Sequence, residues 1–282
     1  MPFSQEKLEN ISKLFHKTLF ESDEGVVGRE FIKKRGLNPQ KFISYEVGFC
    51  PPDILYPDEN KFFSQGHLWY MRGRLIFTIR NLAGDIIGFN GRVIPDCSEA
   101  LLESLKEQCG NEKALQLHEK WGPRKWVNEE FIKGHMLFQL YNNHKKILEK
   151  KSAILVEGCM DAVVMNVFGI QNCVSSLGTS VTAIQRSLLK RFTDHLIFCF
   201  DADMAGEKAR SEIMQLYQEN DYGTTTSAII LNNMDPEDAL LSNKESSLFL
   251  SAIHSHIKTR QDQRVTDLRN NEHRSAISIN IT

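Results

Sequence analysis

The chain has 282 residues, 41% hydrophobic and 25% charged, with 34 Lys and Arg against 36 Asp and Glu; such a chain can bury a core in one large or two smaller domains, which excludes fibrous and disordered classes. Its polar start, MPFSQEKLENISK, lacks an apolar h-region, and no segment approaches the ~18 apolar residues of a membrane span, so a soluble, unsecreted protein of the cytoplasm with no membrane partner is expected. Six cysteines (Cys50, Cys97, Cys109, Cys159, Cys173 and Cys199) stand singly without a C-x-x-C pair, which argues against a zinc ribbon or a disulfide framework and for a reducing compartment.

In chain order, Leu8, Ile11, Leu14, Phe15 and Leu19 recur at helical spacing over 6 to 20, and a second helix over 29 to 35 stops at Gly36. RLIFTIRN and LAGDIIGFNGRVI read as two strands joined by a turn at Ala83 and Gly84, the start of a small α/β unit. Residues 96–121 are acidic and helix-prone, with a break at Gly110 and Asn111 that suggests an inserted helical hairpin. From 152 the pattern alternates: strand AILVEG, helix CMDAVVMNVFG, strand QNCVSSLG, helix SVTAIQRSLLKRF, strand HLIFCFDAD, helix AGEKARSEIMQLYQEN, strand TSAIIL. Apolar strands alternating with helices predict a parallel sheet with helices packed on it. The division expected is a basic α/β unit over 1–150, a second domain over 151–245, and a short polar C-terminal segment over 246–282 that becomes loosely ordered from about 255.

Acids cluster at the ends of the predicted parallel strands, where ligands of such sheets gather. Glu157 ends the first, Asp201 and Asp203 end the third, and Asp235 follows the fourth. Asp161 lies four residues after Glu157, so both can face one point if Gly158 allows the turn. Oxygen ligands without nearby His or Cys suit Mg2+ or Mn2+ rather than zinc, and carboxylates this crowded would not all ionise without cations. The bland readings are helix caps and a first-turn aspartate favoured by the helix dipole. An EF-hand also matches Asp201, Asp203, Gly206 and Glu212, but Ala205 stands where a ligand is needed and an apolar strand, not a helix, precedes the loop.

Charge is polarised along the chain. Between 72 and 92, Arg72, Arg74, Arg80 and Arg92 face only Asp85; between 123 and 151, seven Lys and Arg face three Glu; from 152 to 240, twelve Asp and Glu face five Lys and Arg. A basic part able to hold phosphates therefore precedes an acidic part able to hold metal, although charge runs are usually solvated faces.

ILVEGCMDAVV, SSLGTSVTAIQRSLLKRF, LIFCFDADMAGEKAR and MDPEDAL, in that order, resemble the Toprim domain of bacterial-type replicative DNA primases. Upstream, FIKKRGLNPQKFISYEVGFCPPD, RGRLIFTIRNLAGDIIGFNGRV and PRKWVNEEFIKGHMLFQL are similar to segments of the same family, so the likeness runs from about 8 to 245 and sets the chain apart from topoisomerases and small nucleases with Toprim domains. Thr78 departs from the family's usual proline, Asn90 from its usual glycine, and 96–121 expands a link that is normally short. The resemblance implies a Toprim-type parallel sheet flanked by helices and preceded by a smaller basic α/β subdomain. It implies primer RNA synthesis on single-stranded DNA from NTPs, with two or more Mg2+ or Mn2+ and no zinc. Asp201, Asp203 and Asp235 would be metal ligands, Asp161 would support them, and Glu157 would be a ligand or the base for the attacking hydroxyl. Arg74, Lys125, Asn128 and Lys133 would grip phosphates or backbone, with Arg72 and Arg92 as secondary candidates. Trp126 would stack on a base or pack in the core, and His118, His135 and His144 would be structural. The family's zinc-binding and helicase-binding domains have no counterpart in these residues, so a replicative helicase and a separate zinc-ribbon protein are the expected partners, in a bacterial cell or a phage-infected host. The alternatives are a Toprim metal-dependent nuclease and a non-catalytic nucleic-acid-binding remnant.

Overall fold

The computed structural model describes residues 4–53, 68–122, 124–128, 131–219, 223–231, 234–242, 245–258 and 262. The chain divides into two compact units, Met1–Ile132 and Lys133–Thr282.

The first unit is a four-stranded antiparallel sheet in the order β1-β2-β3-β4, made of β1 (Val47–Cys50), β2 (Arg74–Arg80), β3 (Ile86–Val93) and β4 (Trp126–Asn128). Helix α1 (Gln5–Glu21) starts where the Ser4 hydroxyl accepts from Lys7 N, and its apolar stripe Leu8, Ile11, Phe15 and Leu19 is buried. It packs so closely on β1 that Gly48 is required: a Cβ there would lie 2.5 Å from Phe15 Cβ and 2.8 Å from His16 N. Arg80 on β2 reinforces this packing by pairing with Glu9 on α1 and with Glu46. A second helix, α2 (Val26–Lys34), follows. The expected hairpin β2–β3 turns at 81–85, where Asn81 Oδ1 accepts from Ala83 N and Asp85 N. Strand β1 was not expected from the sequence; four residues offer too little periodicity to distinguish it from a loop.

The insertion forms the expected helical hairpin, α3 (Ser98–Cys109) and α4 (Asn111–Trp121), turning at Gly110 with φ +80°. Leu105 and Ala114 are buried, His118 Nε2 lies 3.0 Å from Ser98 Oγ, and Arg72 Nη1 donates to Gln108 Oε1 at 3.1 Å.

The second unit holds a four-stranded parallel sheet in the order β6-β5-β7-β8, from β5 (Ala153–Val156), β6 (Cys173–Ser175), β7 (His195–Phe198) and β8 (Thr225–Ala228). Strands β5, β6 and β7 are buried throughout, as a sheet covered by helices requires. The helices are α5 (Leu140–Lys150), α6 (Cys159–Val167), α7 (Ala183–Lys190), α8 (Met204–Glu219) and α9 (Pro236–Leu241). Helix α6 is buried from Cys159 to Asn166, apolar except for Asp161 and Asn166, and Asn166 Oδ1 accepts from Asn143 Nδ2 at 2.9 Å.

Two boundaries differ from the expectation. The second unit begins at Lys133, not at 151, because α5 belongs to the parallel sheet: Ile147 is fully buried and Asn143 Nδ2 donates to Cys173 O on β6 at 2.6 Å. The charge run over 123–151 hid this, since the lysines of α5 mask its buried Leu140, Asn143 and Ile147. Residues 246–258 are helical (α10) rather than a polar tail, and bury Phe249, Ile253 and Ile257; apolar residues three to four apart make one buried face within a polar composition. The tail from 259 onward lies outside the described residues, apart from Asp262. No helix among the described residues is long and apolar enough to cross a membrane.

Candidate metal centre

Strand order brings the acids to one end of the parallel sheet. β5 leads through α6 to β6 on one side, whereas β7 leads through α8 to β8 on the other, so the connections diverge between β5 and β7. Ligands of open parallel sheets bind at such a switch point. Glu157 follows β5 there, and Asp201 and Asp203 follow β7.

Glu157 is 9% exposed, and its Oε1 accepts the backbone N–H of Asp201 at 3.1 Å, clipping the two strand ends together. Ser175 Oγ donates to Glu157 O at 2.6 Å from the neighbouring strand. Burial, then the charge of Asp201 and after it that of Asp203, pushes the Glu157 carboxyl up to about 7; the Asp201 N–H opposes the shift. The approach of α8 depends on Gly206, since a Cβ there would stand 2.3 Å from Asp201 O and 2.6 Å from Glu157 Oε1.

Asp161 is the third residue of α6 and is buried. Its Oδ2 would lie 2.6 Å from a Cβ on Gly158, so the missing side chain at 158 makes room for it. Burial holds this carboxyl well above the usual carboxylate range, and the charges of Asp201, Asp235 and Glu237 push the same way. Asp201 thus acts on both Glu157 and Asp161, Asp203 acts on Glu157, and Asp235 acts on Asp161, which links the five expected acids through shared neighbours. Two of them also cap helices: Asp203 Oδ1 accepts from Gly206 N at 2.8 Å, and Asp235 Oδ1 accepts from Asp238 N at 2.7 Å. A carboxylate has two oxygens, so capping with one leaves the other for a cation. Among the described residues no three His, Cys, Asp or Glu side chains stand together in an arrangement that could already hold a metal ion.

The expected basic residues fall in both units. Lys133 shares the unit of the acids; its carbonyl accepts from Gln185 Nε2, which also bonds Met136 O and Ser176 O, and Thr182 Oγ1 donates to Gly134 O. Arg74, Arg92, Lys125 and Asn128 lie in the first unit. Arg74 is 1% exposed and its donors reach three backbone carbonyls, Tyr70 O at 3.0 Å, Arg124 O at 2.7 Å and Trp121 O at 2.5 Å. Burial lowers its pKa to about 10. Its guanidinium is thus built into the fold, as is that of Arg72, also 1% exposed. Pairing of β3 with β4 sets Arg92 opposite Trp126 and Asn90 opposite Asn128. The Arg92 guanidinium lies 4.9 Å from the Trp126 ring centroid, Trp126 packs 5.7 Å from Phe77, and Asn90 Nδ2 donates to Asn128 Oδ1 at 2.6 Å. Lys125 is exposed.

Sequence reasoning missed Glu237, 2% exposed, whose backbone N–H bonds Asp161 and whose charge acts on it. The signal was its place in NNMDPEDAL, two residues after Asp235. It also missed Gln185, whose link to the Lys133 loop spans about fifty residues of sequence and has no local signature.

Residues 154–240 match the family model described as Toprim-like. The chain is 28% identical over 249 residues to the DNA primase of Halalkalibacterium halodurans, covering 82% of this chain and 38% of that protein. With the DNA primase of Escherichia coli K12 it shares 29% identity over 213 residues, 69% of this chain and 33% of the relative. It thus spans well under half the length of these curated relatives. A solved structure of the DnaG catalytic core superposes with TM-score 0.67 at 25% identity, over 89% of this chain and 79% of that one.

Proposed function

Starting from a chain that carries a Toprim-like domain and is related in sequence and fold to the catalytic core of bacterial-type DNA primases, we propose that it synthesises short RNA primers on single-stranded DNA by nucleotidyl transfer. The observation that carries the reading is the Glu157 carboxyl, clipped to Asp201 at the switch point and held near neutrality by burial and its acidic neighbours. A crowded, all-oxygen donor set with raised carboxyl pKa values fits divalent cations, here two or more Mg2+ or Mn2+ and not zinc. Asp201, Asp203 and Asp235 would hold them, with Asp161 in support. Cations bound there would lower the pKa of the attacking hydroxyl and neutralise charge developing on the leaving pyrophosphate.

The chain's own groups supply the rest. Glu157, beside Asp201 and Asp203, is placed to accept the 3'-hydroxyl proton or to serve as a further cation ligand. Gly206 keeps α8 close enough for Asp203 to stay beside Glu157. Lys133 and Lys125 offer point charges to phosphates, Asn128 offers its amide, and Arg92 lies over Trp126 with the indole as a base-stacking neighbour. Arg74 acts through the backbone it holds. The template's compartment is the cytoplasm of a bacterial cell or phage-infected host, and a replicative helicase and a zinc-ribbon protein are proposed as separate partners that raise initiation.

The test is incubation with single-stranded DNA, four NTPs and Mg2+ or Mn2+, with products resolved on a gel. Primers from the parent chain and none from the Asp201→Asn, Asp203→Asn double variant are expected. Cleavage of the DNA instead would identify a nuclease; binding without either reaction would identify a remnant.

A further inference from the structure

We propose that a groove beside the carboxylates, between the loop after β6 and helix α8, binds phosphate, either the triphosphate of a nucleotide or the backbone of a nucleic-acid strand. The inference rests on the nucleotidyl-transfer reading and extends it to residues outside the acid set.

The groove has a volume of about 410 Å3 and is lined by Thr179 and Ser180 from the loop, Arg186 from α7, and Ala205, Lys208 and Glu212 from α8. That volume lies within the range of ~300–1,000 Å3 typical of small-molecule sites. Its position follows from the fold: the loop leaves the carboxyl end of β6, and α8 starts at Met204, directly after Asp203, so one end of the groove, at Ala205, lies two residues from the acids of the strand end.

Charge singles it out. Only five Lys and Arg stand among the residues from 152 to 240, against twelve Asp and Glu, and two of the five line this groove. Arg186 is tethered by Nη1, which donates to Val181 O at 2.9 Å, leaving the other nitrogen of its fork for a phosphate oxygen. Lys208 meets Glu212 only loosely, at 3.7 Å, with both side chains largely exposed (76% and 66%). A pair so solvated contributes little, and a phosphate competes well for the ammonium. Thr179 and Ser180 add hydroxyl donors of the kind that position sugar-phosphate backbones without reading sequence. A cationic groove next to a carboxylate cluster separates the two needs of such a reaction, since the acids alone would repel every substrate they serve.

The experiment measures binding by the full chain of two probes, a fluorescent ATP and a dye-labelled oligothymidylate, by anisotropy across a salt series. Lys208→Gln and Glu212→Gln change exposed side chains and should fold as the parent does. Lys208→Gln should weaken oligonucleotide binding roughly three- to tenfold and reduce the log–log salt slope by about 0.7, the value for one neutralised single-strand phosphate. Glu212→Gln should tighten binding, because it removes the groove's negative charge. Opposite effects seen with the oligonucleotide alone assign the groove to a strand backbone, with ATP alone to a triphosphate, and with both to a phosphate site shared by the two. Parent-like binding of both probes by both variants, a shift in the same direction for both, or no binding by the parent overturns the proposal. Primer synthesis is scored separately: synthesis by the parent with parent-like binding by both variants sinks the groove and leaves the proposed function standing, whereas opposite binding shifts without any synthesis sink the function and leave the groove.

Discussion

Glu157 owes its chemistry to where its oxygens are, not to being a glutamate at a strand end. Buried beside Asp201 and Asp203, its carboxyl is pushed up to about 7, whereas in the unfolded chain it titrates near 4.5. The folded state therefore binds the extra proton, and stability falls as pH rises between these two values. In metal-free buffer this contribution is fully present below about 4.5 and lost as pH rises through about 7. Glu157→Gln keeps an oxygen to accept from Asp201 N and removes the charge, so its melting temperature should exceed that of the parent by a margin that grows from about pH 5 to about pH 8. Adding Mg2+ should narrow that margin, because a cation relieves the same repulsion in the parent. Differential scanning fluorimetry across pH, with and without Mg2+, checks this; a margin independent of pH would show that Glu157 is not held protonated.

At the scale of elements, the basic strand pair is largely occupied by the fold. Arg80 binds α1, Arg72 reaches α3, and Arg74 fastens the carbonyls of Tyr70, Trp121 and Arg124. Around these three, Tyr70 stacks on Trp121 at 5.2 Å, and the Arg124 guanidinium lies 4.6 Å from the Trp121 centroid. Arg74 thus holds the end of α4, with its aromatic cluster, onto the sheet. Replacing it by Met leaves three carbonyls without that donor, so a drop of roughly 2–4 kcal/mol in chemical denaturation is expected. Lys should recover little, since a point charge cannot span three acceptors. An Arg74 that served only as a phosphate ligand would leave stability unchanged and alter substrate affinity alone.

Across the whole molecule, the charge asymmetry follows segments of the chain and not the two units, since Lys133 and the lysines of α5 share the unit of the acids and each unit holds one more Asp or Glu than Lys or Arg; only part of the positive charge is available to a ligand. Lys125 and Lys133 are exposed and belong to different units. Neutralising either should weaken single-strand binding in every sequence context and reduce the salt slope by about 0.7 for each phosphate that is no longer neutralised. Their effects should add within about 0.5 kcal/mol if the two sites are independent. Unchanged affinity at all salt concentrations would mean that these charges are a solvated face.

The alternation of apolar strands with amphipathic helices made the parallel sheet legible, because short continuous apolar runs mark strands buried on both faces and a period of 3.6 marks the helices between them, both of them local signals. The hairpin 81–85, the helical break at Gly110 and the positions of Glu157, Asp201, Asp203 and Asp235 after their strands were legible for the same reason. What the sequence could not decide depends on how distant segments meet. Whether an arginine faces a phosphate or three carbonyls is settled by what lies opposite it, and Trp121 and Arg124 lie about fifty residues from Arg74. The affiliation of α5 and the burial of α10 likewise follow from faces that composition averages away. The tuning of Glu157 arises from its burial and then from the charge of Asp201, forty-four residues distant in sequence, since a pKa is set by the surroundings at a point in space and the chain's order does not specify them.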